Sequence, residues 1–251
     1  ACVISCSNES GSSVSPEVTK FQDAQLDGNT TAGLVRADSP VVKVAGVGRA
    51  ARTFVTWVDH RLGDRNVFFN ARTTGNTAWS HSQDLRIDTG VRRGSFADQL
   101  DMCCSKDGNM VHIVWADLQN RQETVWYNFS TDGGQTFQPK AKAMDPHWPF
   151  NQKGTEPHVV CSSDGRIVYV VWRYGLSDVV MRYSTNGGVT FNNSPDTTPD
   201  LFFVQAPAAL DPFTPGFRGT WVSRDISVDV GDDGRFCHIV WFGGFALILY
   251  R

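Results

Sequence analysis

Apolar and polar residues alternate along most of this chain with the period of two that is typical of β-strands. Four such segments end in tryptophan, and each is followed by a second apolar segment, usually after a polar loop. The tryptophans are Trp57, Trp115, Trp172 and Trp241, and the second segments span residues 66–72, 124–130, 179–184 and 246–251. Long stretches with the 3.6-residue period of an amphipathic helix are absent from the sequence. The pattern therefore predicts an all-β protein.

Short polar turns separate these segments at regular places. An Asp-Gly pair precedes the Trp-ending strand at residues 107–108, 164–165 and 233–234, which predicts type I′ hairpin turns. After the second apolar segment, a further strand ends in an apolar residue followed by Asp. These anchors are Leu26-Asp27, Ile87-Asp88, Met144-Asp145 and Leu210-Asp211. The chain thus repeats a unit of four strands, which we name a to d.

A single four-stranded sheet cannot cover both of its own faces. Radial packing of several such sheets in a β-propeller covers the faces and leaves short, protected edges. A chain of 251 residues is long enough for one domain with a sizeable core. We therefore predict a single β-propeller domain over residues 1–251, with about four four-stranded blades.

The two ends of the chain bear on how such a ring would close. Residues 18–27 have the pattern of a strand d without strands a and b before it, and the chain ends after a strand c. The N-terminal strand is therefore expected to complete the last blade, residues 216–251. Residues 1–7 have the pattern of an additional strand c, which would lie outside, pair with another subunit, or indicate a longer propeller.

A polar octet connects strand c to strand d in two of the units. It reads STDGGQTF at residues 130–137 and STNGGVTF at residues 184–191, with weaker versions at 72–79 and 7–14. A catalytic or metal site would not be copied into every unit and then lose its Asp in one of them. Ser and Asp side chains commonly bond nearby backbone amides in turns, so the octet is predicted to be a structural turn.

The octet and its Trp-ending neighbour strand resemble the Asp box of the BNR repeat in sialidase-like β-propellers. The resemblance implies a structural hairpin between strands c and d, away from the central pocket. In that hairpin the Ser and Asp oxygens bond turn amides, the Gly takes the left-handed conformation, and the aromatic residue anchors the turn. Asn186 replaces the Asp in the second copy. The matching residues are Ser130, Asp132, Gly134, Thr136, Phe137, Ser184, Asn186, Gly188, Thr190 and Phe191.

Composition excludes several classes of function. The formal net charge is −3 and neither end carries a basic run, which argues against nucleic-acid binding. The longest apolar run, residues 245–250, is too short to span a bilayer. Neither the six histidines nor the six cysteines show the spacing of metal ligands, and His112 and His238 occupy the same place in strand b. We expect no cofactor and no bound metal.

Several features suit an extracellular or cell-surface protein. Sequons make Asn8, Asn29, Asn128 and Asn192 candidates for glycosylation. Cys2 and Cys6 would be able to pair in an oxidising compartment. Cys103, Cys161 and Cys237 lie inside apolar strand patterns and are expected to be buried thiols.

The loops from strand d to the next strand a are the long, variable ones, and ligands of propellers usually meet such loops. Each loop carries a basic residue followed by an acidic one, including Asp38 and Asp98. These charges would either link neighbouring blades or line a polar pocket. Aromatic residues in two loops would stack on sugar rings or plug the channel. The residues expected to contact a ligand are Arg36, Arg93, Trp148, Glu156, Arg218, Trp221, Arg224 and Asp225.

A sialidase-like hydrolase would need three arginines on a carboxylate, a Tyr–Glu nucleophile pair and an acidic residue. The Arg-Ile-Pro motif of that family is missing, and the five tyrosines lie in or just after strands b and c, away from the predicted loops. The leading hypothesis is therefore a binding or assembly module that recognises glycans or a protein partner without catalysis. The alternatives are a sialidase-like glycoside hydrolase and a structural subunit that polymerises by exchange of terminal strands.

Overall fold

A computed structural model describes most of the repeated part of the chain. The described residues are 2–3, 24–25, 37–76, 78–90, 97–119, 122–144, 154–175, 178–191, 202–203, 223–243 and 247–250. They form β-strands joined by turns, with one short 3-10 turn at Gly48–Ala50, so the described chain is all-β as predicted. Within these residues, no helix has the length and apolar character needed to cross a membrane.

The described strands are numbered in chain order. The first two are β1 (Cys2–Val3) and β2 (Ala24–Gln25). Unit 1 consists of β3 (Ala37–Ala45), β4 (Arg52–Asp59), β5 (Asn66–Thr73) and β6 (Leu85–Arg86). Unit 2 consists of β7 (Ala97–Cys104), β8 (Val111–Gln119), β9 (Gln122–Ser130) and β10 (Lys142–Ala143). Unit 3 consists of β11 (Gly154–Cys161), β12 (Val168–Tyr174), β13 (Asp178–Ser184) and β14 (Phe202–Phe203). Unit 4 consists of β15 (Ser223–Val230), β16 (Cys237–Gly243) and β17 (Leu247–Tyr250).

Units 1 to 3 are antiparallel sheets in which strands a, b, c and d pair in chain order, as the repeat predicts. Unit 4 has three described strands in the same order. The short outer strands β6 and β10 directly precede the anchors Ile87 and Met144, whose side chains are buried. In unit 3 the anchor Leu210-Asp211 lies outside the described residues. The outer strand β14 pairs with β13 and ends seven residues before this anchor.

The N-terminal segment is described at two short strands only. There β2 pairs antiparallel with β1, which links a part of the segment predicted as an additional strand c to a part of the segment predicted as a strand d. Because β1 and β2 are far closer in the chain to each other than to β17, their pairing costs less loop-closure entropy than pairing of β2 with β17 would. Among the described pairings, β17 joins only β16. The expected completion of the last sheet by residues 18–27 is therefore not found among them.

The first strands of the four units lie side by side in chain order: β3 contacts β7, β7 contacts β11, and β11 contacts β15. Apolar clusters fill the spaces between successive units. Trp115, Trp172 and Trp241 are part of this packing between units, whereas Trp57 packs with residues of its own unit. Trp57, Trp115 and Trp172 are fully buried, and Trp241 is 5% exposed. The four tryptophans thus occupy equivalent, buried positions in strand b.

The turns between strands a and b differ from the predicted type I′ geometry. That type requires a positive φ at both central residues. In the structure Gly108, Gly165 and Gly234 have φ of 74°, 71° and 72°, whereas the preceding Asp residues are not in the positive-φ region. The Asp107 carboxylate accepts a hydrogen bond from the N–H of Asn109, two residues on, at 2.9 Å. This local bond holds the Asp in an ordinary conformation.

Candidate functional site

The units have two chemically different ends. The turn end carries the a–b turns (residues 105–110, 162–167 and 231–236) and the c–d octets (residues 130–137 and 184–191). The bulge end is the opposite end, with the loop 60–65 and the start of each first strand around Ser39, Gln99, Glu156 and Asp225. Because strands a to d form a meander, both kinds of turn lie at one end and the longer connections at the other.

At the turn end, the first octet is closed by its own side chains. The Ser130 hydroxyl accepts a hydrogen bond from the N–H of Gly134 at 2.8 Å and donates one to Asp132 at 2.7 Å. Asp132 also accepts the N–H and the hydroxyl of Thr136, at 2.9 and 2.6 Å. Partial burial opposes these bonds, but they hold the pKa of the Asp132 carboxyl below its usual value. The side chains of this octet are therefore occupied within the turn.

The second octet has the same geometry although Asn replaces Asp. Ser184 accepts the N–H of Gly188 at 2.9 Å, and Asn186 Oδ1 accepts the N–H of Thr190 at 2.9 Å. The hydrogen bond to the Thr hydroxyl runs in the opposite direction, because Asn186 Nδ2 donates to Thr190 Oγ1 at 2.8 Å. An amide thus reproduces every bond of the carboxylate, which explains how the repeat tolerates the loss of the charge.

Each octet also packs against the preceding unit. Gly134 and Gly188 have φ of 80° and 81°. A methyl group added at Gly134 would overlap the Phe69 ring, and one added at Gly188 would overlap the Tyr127 hydroxyl. The closing aromatic residues make edge-on contacts with the same rings: Phe137 with Phe69 at 4.9 Å, and Phe191 with Tyr127 at 5.0 Å. The aromatic residue therefore anchors the octet to the neighbouring unit.

Side chains of one unit cap the turn carbonyls of the next unit. His81 Nε2 donates to Gly134 O at 2.8 Å, and Lys142 Nζ donates to Gly188 O at 2.7 Å. His112 Nε2 donates to Gly165 O at 3.0 Å, so its Nδ1 must accept the hydroxyl of Tyr127 at 2.7 Å. Burial lowers the pKa of His112 to about 4, so the imidazole is neutral near pH 7.

The a–b turns are linked directly by backbone hydrogen bonds. The N–H of Gly46 donates to Lys106 O at 2.9 Å, the N–H of Lys106 to Ser163 O at 2.7 Å, and the N–H of Ser163 to Asp232 O at 2.8 Å. These three bonds connect all four units in series. Together with the octets, they show that the polar groups of the turn end hold the units together.

Asn128 is a strand residue with a structural role. It is 1% exposed, and its Nδ2 donates to Ile87 O at 2.8 Å and to Gln138 O at 3.1 Å. A glycan on Nδ2 is incompatible with this packing, so the candidate site at Asn128 is wrong for this fold. Asn70 is its counterpart in unit 1, and its side chain bonds His81 and Asp84 in the equivalent loop. Asn70 is not part of a sequon, so the repetition of Asn at this position is the sequence signal for a structural role. Asn8, Asn29 and Asn192 lie outside the described residues.

The bulge end repeats an unusual backbone conformation. Ser39, Gln99, Glu156 and Asp225 are in the left-handed region, with φ of 51°, 51°, 53° and 54°. Each lies at a β-bulge where the pairing between strands a and b shifts its register. Bulges redirect side chains and occur often beside functional sites, and non-glycine residues adopt this conformation at a cost of about 1 kcal/mol or more. All four units keep this geometry at one position.

Charged side chains beside the first two bulges join units 1 and 2. Arg65 Nη2 lies 3.3 Å from Asp38 Oδ1 and 3.3 Å from Asp98 Oδ1. The Ser39 hydroxyl donates to Asp98 Oδ1 at 3.1 Å. The Asp98 side chain remains 49% exposed, while Arg65 and Asp38 are about one-fifth exposed. The group is accessible from solvent, and its guanidinium is already neutralised by two carboxylates.

A second group joins units 2 and 3. Arg173 Nη1 lies 3.1 Å from Glu156 Oε1, and its Nε donates to Thr155 Oγ1 at 2.9 Å. The N–H of Glu156 donates to Gln99 Oε1 of the preceding unit at 2.7 Å. Acidic residues of the predicted charge repeat thus form ion pairs, Asp98 with Arg65 of the preceding unit and Glu156 with Arg173 of its own unit. The register of the repeat differs from the prediction, because Glu156 is the counterpart of Gln99 and not of Asp98.

Of the residues predicted to contact a ligand, Glu156 and Asp225 are described, and both lie at bulges. Asp225 is exposed. Arg224 is described only as part of the backbone of β15. Arg36, Arg93, Trp148, Arg218 and Trp221 lie outside the described residues.

Sequence reasoning missed the partners Arg65 and Arg173. Arg65 belongs to the b–c loop and Arg173 to strand b, whereas the search covered the d–a loops. The position of Tyr174 also corrects a prediction. It ends β12 and pairs with Gly154, so it lies at the bulge end rather than away from it. Its side chain is 1% exposed, which keeps the hydroxyl away from a ligand.

The described residues contain no group of three or more His, Cys, Asp or Glu side chains placed to hold a metal ion. No protein-family model matches the sequence, and a search of curated proteins finds no match either.

Proposed function

We propose that this protein is a secreted or surface-exposed binding module of the Asp-box β-propeller type, and that its bulge end recognises a glycan without catalysis. The succession of the first strands β3, β7, β11 and β15 supports a radial arrangement of the units. The two octets support the resemblance to Asp-box repeats through their internal hydrogen bonds.

The observation that carries the proposal is the repeated bulge. Four units keep a non-glycine residue in the left-handed conformation at the start of strand a, although the conformation is costly. The repeated geometry of the turn end has a structural explanation, since its polar groups form hydrogen bonds within and between turns. The bulge end instead places polar side chains beside the long connecting loops, where binding residues usually lie.

The charges of the bulge end favour a neutral, hydroxylated ligand over an anionic one. Three arginines there whose side chains the structure describes pair with carboxylates: Arg61 with Asp59, Arg65 with Asp38, and Arg173 with Glu156. A sialidase-type site needs guanidinium groups that are free to bind the carboxylate of the substrate. Paired Arg and Asp side chains can still bond sugar hydroxyls, because each has several donor or acceptor positions.

A glycan array that contains neutral and sialylated glycans tests the proposal. We expect selective binding of neutral glycans, and at least about a tenfold loss of affinity in Asp98→Ala, because one exposed acceptor is removed. The matched control is Asp233→Ala, which removes a carboxylate that is 59% exposed at the turn end. Equal loss in both variants, or no binding to any glycan, would contradict the proposal.

Incubation with fluorogenic sialosides tests the hydrolase alternative. The proposed module should release no fluorophore above a heat-denatured control. Turnover by the wild-type protein that disappears in Arg224→Ala would replace the binding module with a sialidase-type enzyme.

A further inference from the structure

Two cysteine thiols meet between units 2 and 3. Cys103 lies on β7 and Cys161 on β11, two strands that contact each other. Cys103 is a buried member of the apolar cluster that fills the space between these units, and Cys161 packs against that cluster. Cys103 is 8% exposed, and Cys161 is partly exposed. The pair therefore has one buried residue and one partly exposed residue.

Contacts on both sides of the pair fix the alignment of the two strands. On one side, the N–H of Val159 donates to Asp101 Oδ2 at 3.1 Å. On the other side, the N–H of Lys106 donates to Ser163 O at 2.7 Å. Cys103 and Cys161 lie between these two contacts, two residues beyond Asp101 and Val159. These two contacts therefore place Cys103 and Cys161 at corresponding positions along β7 and β11.

The other described interfaces lack this arrangement. When the units are aligned at their bulges, the position of Cys103 in unit 2 corresponds to Lys43 in unit 1 and to Val160 in unit 3. By the same alignment, Cys161 corresponds to Cys104 of unit 2. At the interface between units 1 and 2, Lys43 therefore lies near Cys104, and the charge of Lys43 acts on that thiol. Among the described interfaces, thiols face each other from both sides only between units 2 and 3.

We propose that Cys103 and Cys161 form a disulfide bond that locks units 2 and 3 together when the protein meets an oxidising environment. The oxidant is a low-molecular-weight disulfide such as oxidised glutathione. The Cys161 thiolate attacks one sulfur of the oxidant and releases one glutathione. The Cys103 thiolate then attacks the Cys161 sulfur and releases the second glutathione. The two protein thiols are oxidised by two electrons, and their protons end on the two glutathione molecules.

The order of the two steps follows from accessibility. Burial raises the pKa of the Cys103 thiol well above its usual range, so this group is a poor first nucleophile toward a dissolved oxidant. Cys161 is partly exposed and meets the oxidant first. Once the mixed disulfide has formed, Cys103 is already beside the sulfur that it must attack, and the short distance favours closure.

Thiol mapping of the native protein tests the proposal. A variant with Cys2→Ser and Cys6→Ser serves as the background, so that the N-terminal cysteines do not contribute. After equilibration with oxidised glutathione and quenching in denaturant, we expect two of its four remaining thiols to resist alkylation, and non-reducing peptide mass spectrometry to show a Cys103–Cys161 linkage. We expect the melting temperature of the oxidised form to exceed that of the reduced form by roughly 10 °C, since the bond closes a long loop.

Variants of single cysteines locate the effect. In Cys103→Ser and in Cys161→Ser the oxidation-dependent rise in melting temperature should disappear, whereas it should persist in Cys104→Ser and in Cys237→Ser. The proposal is overturned if both thiols stay open to alkylation after oxidation. It is also overturned if Cys161 stops at the mixed disulfide with glutathione, or if the linkage joins a different pair. The peptide mapping uses the unsubstituted pair, so it remains decisive even if a serine variant fails to fold.

Discussion

The turn end and the bulge end are built from similar polar residues but use them differently. At the turn end, Ser130 and Asp132 bond backbone groups within four residues, and His112 bonds a backbone carbonyl of the next unit. At the bulge end, Arg65 and Arg173 pair with carboxylates that remain partly exposed. The comparison teaches that repetition of a polar motif marks a structural role where the bonds are local or link neighbouring turns. Repetition of a costly backbone conformation beside exposed charges is the feature on which the proposed binding role depends.

The largest effect is expected at the turn end, for Gly188→Ala. The new methyl group would overlap the hydroxyl of the fully buried Tyr127, and φ is 81°. We expect the free energy of unfolding to fall by about 3–5 kcal/mol, from overpacking and backbone strain together. Urea unfolding followed by tryptophan fluorescence measures it.

Gly75→Ala is the matched control, because Gly75 has a φ of 90° and open space around its Cβ position. That variant should lose only about 1 kcal/mol, the cost of backbone strain alone. Equal losses in the two variants would show that the contact with Tyr127 is not tight.

The second prediction concerns acid stability through His112. Its pKa is lowered from 6.5 to about 4 because burial disfavours the charged form. Below pH 6.5 the unfolded chain takes up a proton that the folded protein excludes. The free energy of unfolding should therefore fall by up to about 3 kcal/mol as the pH drops from about 6.5 to 4. Urea unfolding at several pH values measures the slope.

His112→Gln should be less stable at pH 7 but should remove this part of the pH dependence. His238→Gln is the control, because His238 occupies the same position in unit 4 and is exposed. If the two variants keep the same pH dependence, the protonation of His112 does not limit acid stability.

The third prediction separates charge from geometry in the first octet. Asp132→Asn should cost no more than about 0.5 kcal/mol, because Asn186 already forms the equivalent bonds in unit 3. Asp132→Ala should cost about 1–2 kcal/mol, since the N–H of Thr136 loses its acceptor. Thermal unfolding at pH 7 compares the two, and a larger loss for Asn than for Ala would contradict the structural interpretation.

The smallest effect is expected at the bulge end. Asp225→Gly removes the strain of a non-glycine residue in the left-handed conformation at an exposed position, so the free energy of unfolding should rise by about 0.5–1 kcal/mol. Binding to a glycan identified on the array should weaken in the same variant. A gain in stability without any loss of binding would remove Asp225 from the proposed site.

The repeat could be predicted from sequence because its signals are local. Tryptophan spacing, Asp-Gly pairs and the octets each depend on a few neighbouring residues, and the structure confirms the order of strands a to d in units 1 to 3. The ion pairs at the bulge end could not be predicted in the same way. Arg65 meets Asp98 across an interface between units, and a one-residue shift at each bulge decides which side chains meet.

Packing between units also explains the error at Asn128. A sequon reads three consecutive residues, whereas burial depends on Ile87 and Gln138, which belong to another segment of the chain. The nearness of Cys103 and Cys161 was hidden for the same reason. Each lies in a strand as expected, although Cys161 and Cys237 are partly exposed rather than buried. The alignment of β7 with β11 is a property of the assembled sheets.

The series of backbone bonds from Gly46 through Lys106 and Ser163 to Asp232 limits how the repeat can evolve. Lys106 and Ser163 each donate a hydrogen bond to one neighbouring unit and accept one from the other, so their peptide groups must remain aligned with both units. Side chains in these turns can be exchanged without breaking the series. An inserted or deleted residue would misalign donors and acceptors on both sides, so insertions and deletions should accumulate in the long d–a loops instead.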